Sequence, residues 1–308
     1  MKKFFAIIAL LLAFSLVFAG CASADRDDER DDEREEIRDH EEDKNDDKDD
    51  KDDQDDDDEN KVEIVPPVYE NREVWLCVRA TTEQWDGSGT GVKEYEYDEF
   101  GNKTSENNVT YGGGTKYEYD ADGNQIRSQY FLSDGSAGSV MEMTYDKEGR
   151  LLSSVSTGSD GKVSSEYSYT YDEAGFVVDE VRKQHYNNTT YHYVITYNAD
   201  HTEATIQGYK NDEPSGYTEE TYNRNGDLLR SDSYASDGSW SSAVECEYDD
   251  QGRLTVEWKY SSSELQADYD VIYTYDENGL LINKNVDYYY GYGTTYEYEC
   301  FEIKVRVN

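Results

Sequence analysis

The chain has 308 residues with 29 basic and 70 acidic side chains, a formal net charge of −41. A field of that sign excludes a protein that holds nucleic acid through its phosphates. Hydrophobic residues make up 35% of the chain, and its one long apolar run lies within the first two dozen residues, so a multi-span membrane protein is excluded too.

At the start, Lys2 and Lys3 precede an apolar run from Phe4 to Phe18, followed by Ala19, Gly20 and Cys21. About 15 apolar residues fall short of the roughly 20 that a bilayer core requires. A basic start, a short apolar middle and small residues at the end describe a secretory signal. The Ala19-Gly20-Cys21 ending resembles the lipobox of bacterial lipoproteins, with Phe18 where that family prefers leucine. The resemblance implies a signal peptide over residues 1–20, cleavage before Cys21 and lipidation of its thiol. It also implies a place in the cell envelope, lipid-anchored on the outer side of a bacterial membrane. Acyl chains give such residence through their buried CH₂ groups. The alternative is an ordinary cut after Ala22-Ser23-Ala24.

Residues 21–67 read as a disordered acidic tether. Residues 25–60 hold 17 Asp and 7 Glu against 4 Arg and 3 Lys, so 7 − 24 gives −17. Nothing in the segment can form a core, and conformational entropy wins. Arg26, Arg30, Arg34 and Arg38 recur every four residues, which stacks like charges on a helix and disfavours it. Self-repulsion extends the stretch as a spacer, with loose binding of divalent cations as the less favoured reading. Pro66-Pro67 ends it.

Residues 68–308 form the third segment, and most of it repeats. The string Tyr-Asp-x-x-Gly occurs at Tyr97-Asp98 with Gly101, Tyr119-Asp120 with Gly123, Tyr145-Asp146 with Gly149 and Tyr171-Asp172 with Gly175. It returns at Tyr248-Asp249 with Gly252 and at Tyr275-Asp276 with Gly279. Tyr222-Asn223 keeps Gly226, whereas Tyr197-Asn198 has His201 in the glycine slot. The tyrosines are 22, 26, 26, 26, 25, 26 and 27 residues apart. An Asp or Asn that bonds the backbone ahead of it, with a glycine in the left-handed conformation, makes a type I turn plus bulge, a common hairpin connection.

A second turn signal follows each tyrosine by about fifteen residues, as in Ser133-Asp134-Gly135, Ser159-Asp160-Gly161 and Ser236-Asp237-Gly238. Weaker copies are Asn211-Asp212 and Gly112-Gly113. Two turns per repeat leave two strands of roughly nine residues, about 30 Å each. Between the turns the alternation has a period of two. Tyr167, Tyr169 and Tyr171 share a face, as do Tyr191, Tyr193, Ile195 and Tyr197, and Tyr269, Val271, Tyr273 and Tyr275. Val256, Trp258 and Tyr260 do so on a return strand. The fold class read from this is all-β: tandem antiparallel hairpins in one twisted or partly coiled sheet.

Tyr-x-Tyr-Asp-x-x-Gly, with an apolar residue such as Leu151, Leu228 or Leu254 after it, resembles the YD repeat of the Rhs family over roughly residues 90–300. In that family hairpins join edge to edge into a spiralling sheet, which in large members closes around a toxin. This chain has few repeats and neither a C-terminal toxin nor a self-cleaving core motif. The expectation is therefore a short open or partly coiled sheet with tyrosines stacked across neighbouring strands.

Motifs for catalysis or cofactors are weak. His185, His192 and His201 show no ligand spacing on one face, and His40 lies in the tether. Asp120-Ala-Asp122-Gly123-Asn124 begins like a calcium loop, but Phe131 stands where the closing glutamate belongs. Gly87-Ser88-Gly89-Thr90-Gly91 is a hairpin tip rather than a phosphate loop or nucleophile elbow. Cys77, Cys246 and Cys300 are an odd count, which favours buried free thiols, and the last two stand in for face tyrosines beside Tyr248 and Tyr298. No cofactor or metal is expected, and no enzyme.

The expected function is a membrane-anchored binding or adhesion module. Its partners are the membrane through the lipid, and a glycan, cell-wall polymer or protein, with no nucleic acid. A tyrosine ring with its hydroxyl suits sugar stacking. The alternatives are a purely structural scaffold, in which the rings serve only as core, or a role in toxin delivery or immunity by family analogy.

Overall fold

A computed structural model describes residues 67–261, 266–287 and 291–307. Cys21, the signal segment and the tether lie outside them. Among the described residues all regular structure is β, and eighteen strands form one antiparallel sheet.

The first half of the sheet contains β1 (Tyr69–Gln84), β2 (Thr90–Tyr97), β3 (Lys103–Asn108), β4 (Gly114–Tyr119), β5 (Gln125–Phe131), β6 (Ala137–Tyr145), β7 (Leu151–Thr157), β8 (Val163–Tyr171) and β9 (Val177–Gln184). The second half contains β10 (Thr189–Tyr197), β11 (Glu203–Lys210), β12 (Glu213–Tyr222), β13 (Leu228–Tyr234), β14 (Trp240–Tyr248), β15 (Leu254–Tyr260), β16 (Tyr269–Tyr275), β17 (Leu281–Asp287) and β18 (Tyr292–Arg306). Each strand pairs with its neighbours in the chain, and β1 pairs with β18 from Tyr69↔Arg306 to Gln84↔Tyr292. That pairing closes the sheet into a barrel, so the coiling goes to completion. Closure satisfies both edges, which an open sheet of this kind would leave to pair with other chains.

Contacts between strands run between sheet neighbours. Its buried apolar residues are few and mostly small: Ala80, Ala204, Ala243, Cys246, Val271, Val286 and Ile195. Among the described residues no large side chain is fully buried. Stability therefore rests on the ladder of backbone bonds and on cross-strand side-chain pairs.

The barrel has two unlike ends. One rim carries the Tyr-Asp turns, and the other carries the Ser-Asp-Gly, Asn-Asp and Gly-Gly turns. At the Tyr-Asp rim β1 and β18 run on as a two-stranded ribbon, from Tyr69–Cys77 against Tyr298–Arg306. The ribbon leans on the nearest turns. The Lys304 backbone N–H donates to the Glu99 carbonyl at 2.7 Å, Arg306 pairs with Asp122 at 3.2 Å, and the Tyr69 and Phe100 rings lie 5.5 Å apart. Cys300 sits opposite Trp75 in this ribbon and is exposed, contrary to the expectation of a buried thiol. The reason is position: the ribbon has left the barrel and its faces meet water. Cys246 is buried, opposite Glu257, and Cys77 is half-buried.

Candidate functional site: the tyrosine face and its turns

Each regular Tyr-Asp turn is locked by its acidic or amide side chain. Asp120 Oδ1 accepts the N–H groups of Asp122 (2.9 Å) and Asn124 (2.8 Å). Asp146 Oδ1 takes those of Glu148 and Arg150, Asp249 those of Gln251 and Arg253, and Asp276 those of Asn278 and Leu280. Asp98 and Asn223 do the same, and Asp172 accepts from Phe176. The glycine four residues after each tyrosine has positive φ: 83° at Gly101, 85° at Gly123, 79° at Gly149, 92° at Gly175, 90° at Gly226, 77° at Gly252 and 83° at Gly279. An L side chain pays strain in that region. One residue is then inserted in the return strand, so that Thr144 faces Ser153 while Tyr145 faces Leu151.

At Asp120, Asp249 and Asp276 these hydrogen bonds also favour the charged carboxylate. A bond from the Asn124 side chain sets the Asp120 carboxyl below the ordinary range. Backbone donation from Arg253 does so for Asp249, and from Leu280 for Asp276.

The tyrosine before each turn ties one repeat to the previous one. Tyr145 donates its hydroxyl to the Gln125 carbonyl (2.7 Å), Tyr171 to that of Leu151 (2.8 Å), Tyr197 to Val177 (3.1 Å) and Tyr248 to Leu228 (2.9 Å). Tyr97, Tyr119 and Tyr275 reach Cys77, Lys103 and Leu254 in the same way. In each case the acceptor lies on the strand just before the tyrosine's own. The residue after the preceding glycine supports the ring: the Arg150 guanidinium lies 4.9 Å from Tyr171, Arg253 4.8 Å from Tyr275, and Phe176 5.3 Å from Tyr197. Tyr298 is a further rung, donating to Leu281 at 2.9 Å. The Tyr-Asp string does not find it because Glu299 continues the ribbon instead of turning. Its spacing of 23 residues from Tyr275 is the signal that could have found it.

A second row of side chains lies two residues before these tyrosines and shares their face. It includes Tyr95, Tyr117, Met143, Tyr169, Ile195, Glu220, Cys246, Tyr273 and Tyr296. Charged groups are interleaved with it. Glu180 lies opposite both Tyr169 and Tyr193, and it accepts two bonds from Arg182, whose guanidinium sits 4.8 Å from the Tyr193 ring. Glu106 takes Lys93 at 2.7 Å and Lys103 at 3.3 Å, and Lys103 lies over the Tyr95 and Tyr117 rings. Glu257 accepts from Tyr273 (2.7 Å) and Lys259 (3.2 Å). Burial pushes the Tyr169 hydroxyl up to about 12 and the Cys246 thiol up to about 11, with Glu180 and Glu257 adding to the respective effects. This row can stack flat ligands and offer paired charges.

The histidines are not brought together. His185 meets Glu166 at 3.0 Å, His192 meets Asp179 at 2.6 Å, and His201 meets Asp172 at 3.5 Å while stacking on Phe176 at 4.0 Å. Among the described residues no group of three or more His, Cys, Asp or Glu could hold a metal ion. The calcium-like string at Asp120 is a Tyr-Asp turn; Gly87–Gly89 lies in the β1–β2 connection, where Gln84 N–H donates to the Gly89 carbonyl at 3.1 Å, and Thr90 and Gly91 open β2.

No family model matches the chain, and no curated protein does. Solved structures similar to it include a porin-like protein from Bacteroides uniformis at 13% identity and a TM-score of 0.41, covering 72% of this chain and 98% of that one. A Photorhabdus luminescens Tc holotoxin pore, which contains TccC3, is similar at 13% identity and a TM-score of 0.32, covering 64% of this chain and 13% of that one. A TcdB2-TccC3 structure is similar at 12% identity and a TM-score of 0.19, covering 69% and 15%. This chain thus spans a small part of the toxin components it resembles.

Proposed function

We propose that the chain is a non-enzymatic, extracytoplasmic binding module of the YD-repeat type, lipid-anchored through Cys21, with a glycan or cell-wall polymer as its partner. The observation that carries this reading is the half-buried tyrosine face. Rings such as Tyr95, Tyr169, Tyr193 and Tyr296 remain partly exposed, beside the paired charges of Glu180 and Arg182. A ring face with a neighbouring hydroxyl and fixed ionic donors suits a polyhydroxylated chain.

A barrel standing in water fits the charges better than one spanning a bilayer. A lipid-facing surface needs an apolar band about 25 Å tall. The tyrosine face has Lys93, Glu106, Glu180, Arg182, Glu257 and Lys284 within its strands. The opposite face has Glu94, Glu96, Glu118, Glu142, Glu245 and Glu247. Neither offers such a band.

The test is a pull-down of the full mature chain on insoluble peptidoglycan and on a glycan array, with detergent extraction run in parallel. The reading expects retention on at least one glycan and release from cells only with detergent. Retention on none removes the binding role, and release by salt alone removes the anchor. The scaffold reading draws on the hydroxyl ladder, which gives the rim tyrosines a structural task, and it gains if nothing is retained.

A further inference from the structure

At the rim opposite the Tyr-Asp turns, exposed aromatic side chains stand on adjacent loop tips. Trp85 in the β1–β2 connection is 55% exposed, and Tyr111 in the β3–β4 connection is 67% exposed. Val109 and Leu132, on the same and the next tip, are exposed as well. Isolated exposed apolar residues need no explanation, but a run across three successive tips does.

The Trp85 ring lies against glycine. A β-carbon built on Gly291 would stand 2.7 Å from Trp85 Cε3 and 2.9 Å from its Cζ3, so a side chain there would push the indole away. Tyr111 reaches toward the β1–β2 hairpin, its hydroxyl 3.8 Å from the corresponding position on Gly89 and its ring edge 4.0 Å from that on Gly91, ordinary contact distances. The backbone fixes both residues. Trp85 N–H donates to the Gly291 carbonyl at 2.9 Å, and Tyr111 N–H donates to Asn108 Oδ1 at 3.0 Å. Gly112 and Gly113, with φ of 75° and 76°, supply the reversal behind Tyr111. The indole is thus held against bare backbone and both rings are more than half exposed, which lowers the ordering cost of stacking a ligand on them.

Resting on the binding-module reading above, we infer that Trp85 and Tyr111 form a carbohydrate-stacking platform for a neutral glycan chain. Exposed aromatic rings suit the apolar face of a pyranose ring, and the Thr110 hydroxyl, which accepts from the Val92 N–H at 2.9 Å, keeps its own O–H for the polar edge. Charge selects the class. The tips at 85–89, 109–113 and 132–136 carry Asp86 and Asp134 and no Lys or Arg, so an anionic polymer is repelled. The domain's chain enters at the other end, where β1 begins, so the platform lies at the end of the barrel away from residue 67.

The experiment is calorimetric titration of the full mature chain with chitohexaose and cellohexaose, with polygalacturonate and phosphatidylcholine vesicles as further probes. A Trp85→Ala/Tyr111→Ala double variant is compared with Tyr186→Ala, an exposed tyrosine on a different tip. The inference expects binding of a neutral oligosaccharide, weakened about tenfold or more in the double variant. It expects no change in Tyr186→Ala and the same melting temperature in both. Equal affinity in the double variant overturns the inference while leaving the binding role standing. Trp85-dependent binding to polygalacturonate or to vesicles, in place of the neutral sugars, overturns it too. Absence of binding in the unsubstituted chain, there and on peptidoglycan, removes the parent reading and this one with it.

Discussion

The turn after Tyr171 and the turn after Tyr197 start from nearly the same string and end differently. In the first, Asp172 N–H donates to the Phe176 carbonyl, Gly175 takes φ 92°, and Tyr171 faces Val177 after one inserted residue. In the second, Asn198 N–H donates to the Glu203 carbonyl, His201 takes φ 56°, and Tyr197 faces Ala204 with no register shift. The consequence appears one repeat later. Tyr222 does not join the row of hydroxyl-to-carbonyl bonds and donates instead to Glu220, a buried carboxylate also held by Ser231 at 3.2 Å. The glycine therefore does more than allow a turn: it places the bulge that sets the next strand's tyrosine opposite a carbonyl.

Several substitutions break or sharpen this contrast. Gly175→Val puts a β-branched residue at a positive φ and should cost about 2–3 kcal/mol, whereas His201→Val should cost less because its turn is already irregular. Thermal or urea melts check the order. Tyr222→Phe removes a donor from a buried carboxylate and should cost about 1.5–3 kcal/mol, more than Tyr171→Phe at about 1 kcal/mol. Equal losses would mean that the two hydroxyls do the same work.

The pH response is two-sided. Asp120, Asp249 and Asp276 titrate below their ordinary value in the folded chain, so their stabilisation is present above about pH 4 and is lost as pH falls. Tyr169 and Tyr197 titrate near 12 because burial disfavours the phenolate. Their contribution is complete below about pH 10 and is lost as pH rises toward those values. Melting temperature against pH should form a plateau with shoulders at both ends, and a single optimum near neutrality would contradict it. The smallest effect is in thiol chemistry. Cys300 should alkylate in the native state, while Cys246, buried and with its thiol pushed up to about 11, should wait for unfolding. Mass spectrometry after timed iodoacetamide treatment reads the difference.

The sequence made the strands, the turns and the shared tyrosine face legible, because a period of two and a recurring Asp-x-x-Gly are local signals. Closure was not legible. It depends on pairing Tyr69 with Arg306 and Gln84 with Tyr292, residues at opposite ends of the domain in segments without the repeat string. Nor was the missing rung at Tyr222, because its cause lies at His201 in the preceding repeat. Trp85 and Tyr111 carry no repeat signal, and their exposure on adjacent tips shows only in the structure. The exposure of Cys300 likewise depends on where the ribbon leaves the barrel.

The central claim is that the hairpins close into a ring through β1 and β18. Thr82 and Thr294 face each other across that seam, with their hydroxyls 2.8 Å apart. In a chain whose four native cysteines are replaced by serine, Thr82→Cys and Thr294→Cys should join under mild oxidation and speed migration on a non-reducing gel. A chain that keeps its β-type circular dichroism yet stays uncrosslinked would show an open sheet and contradict the account.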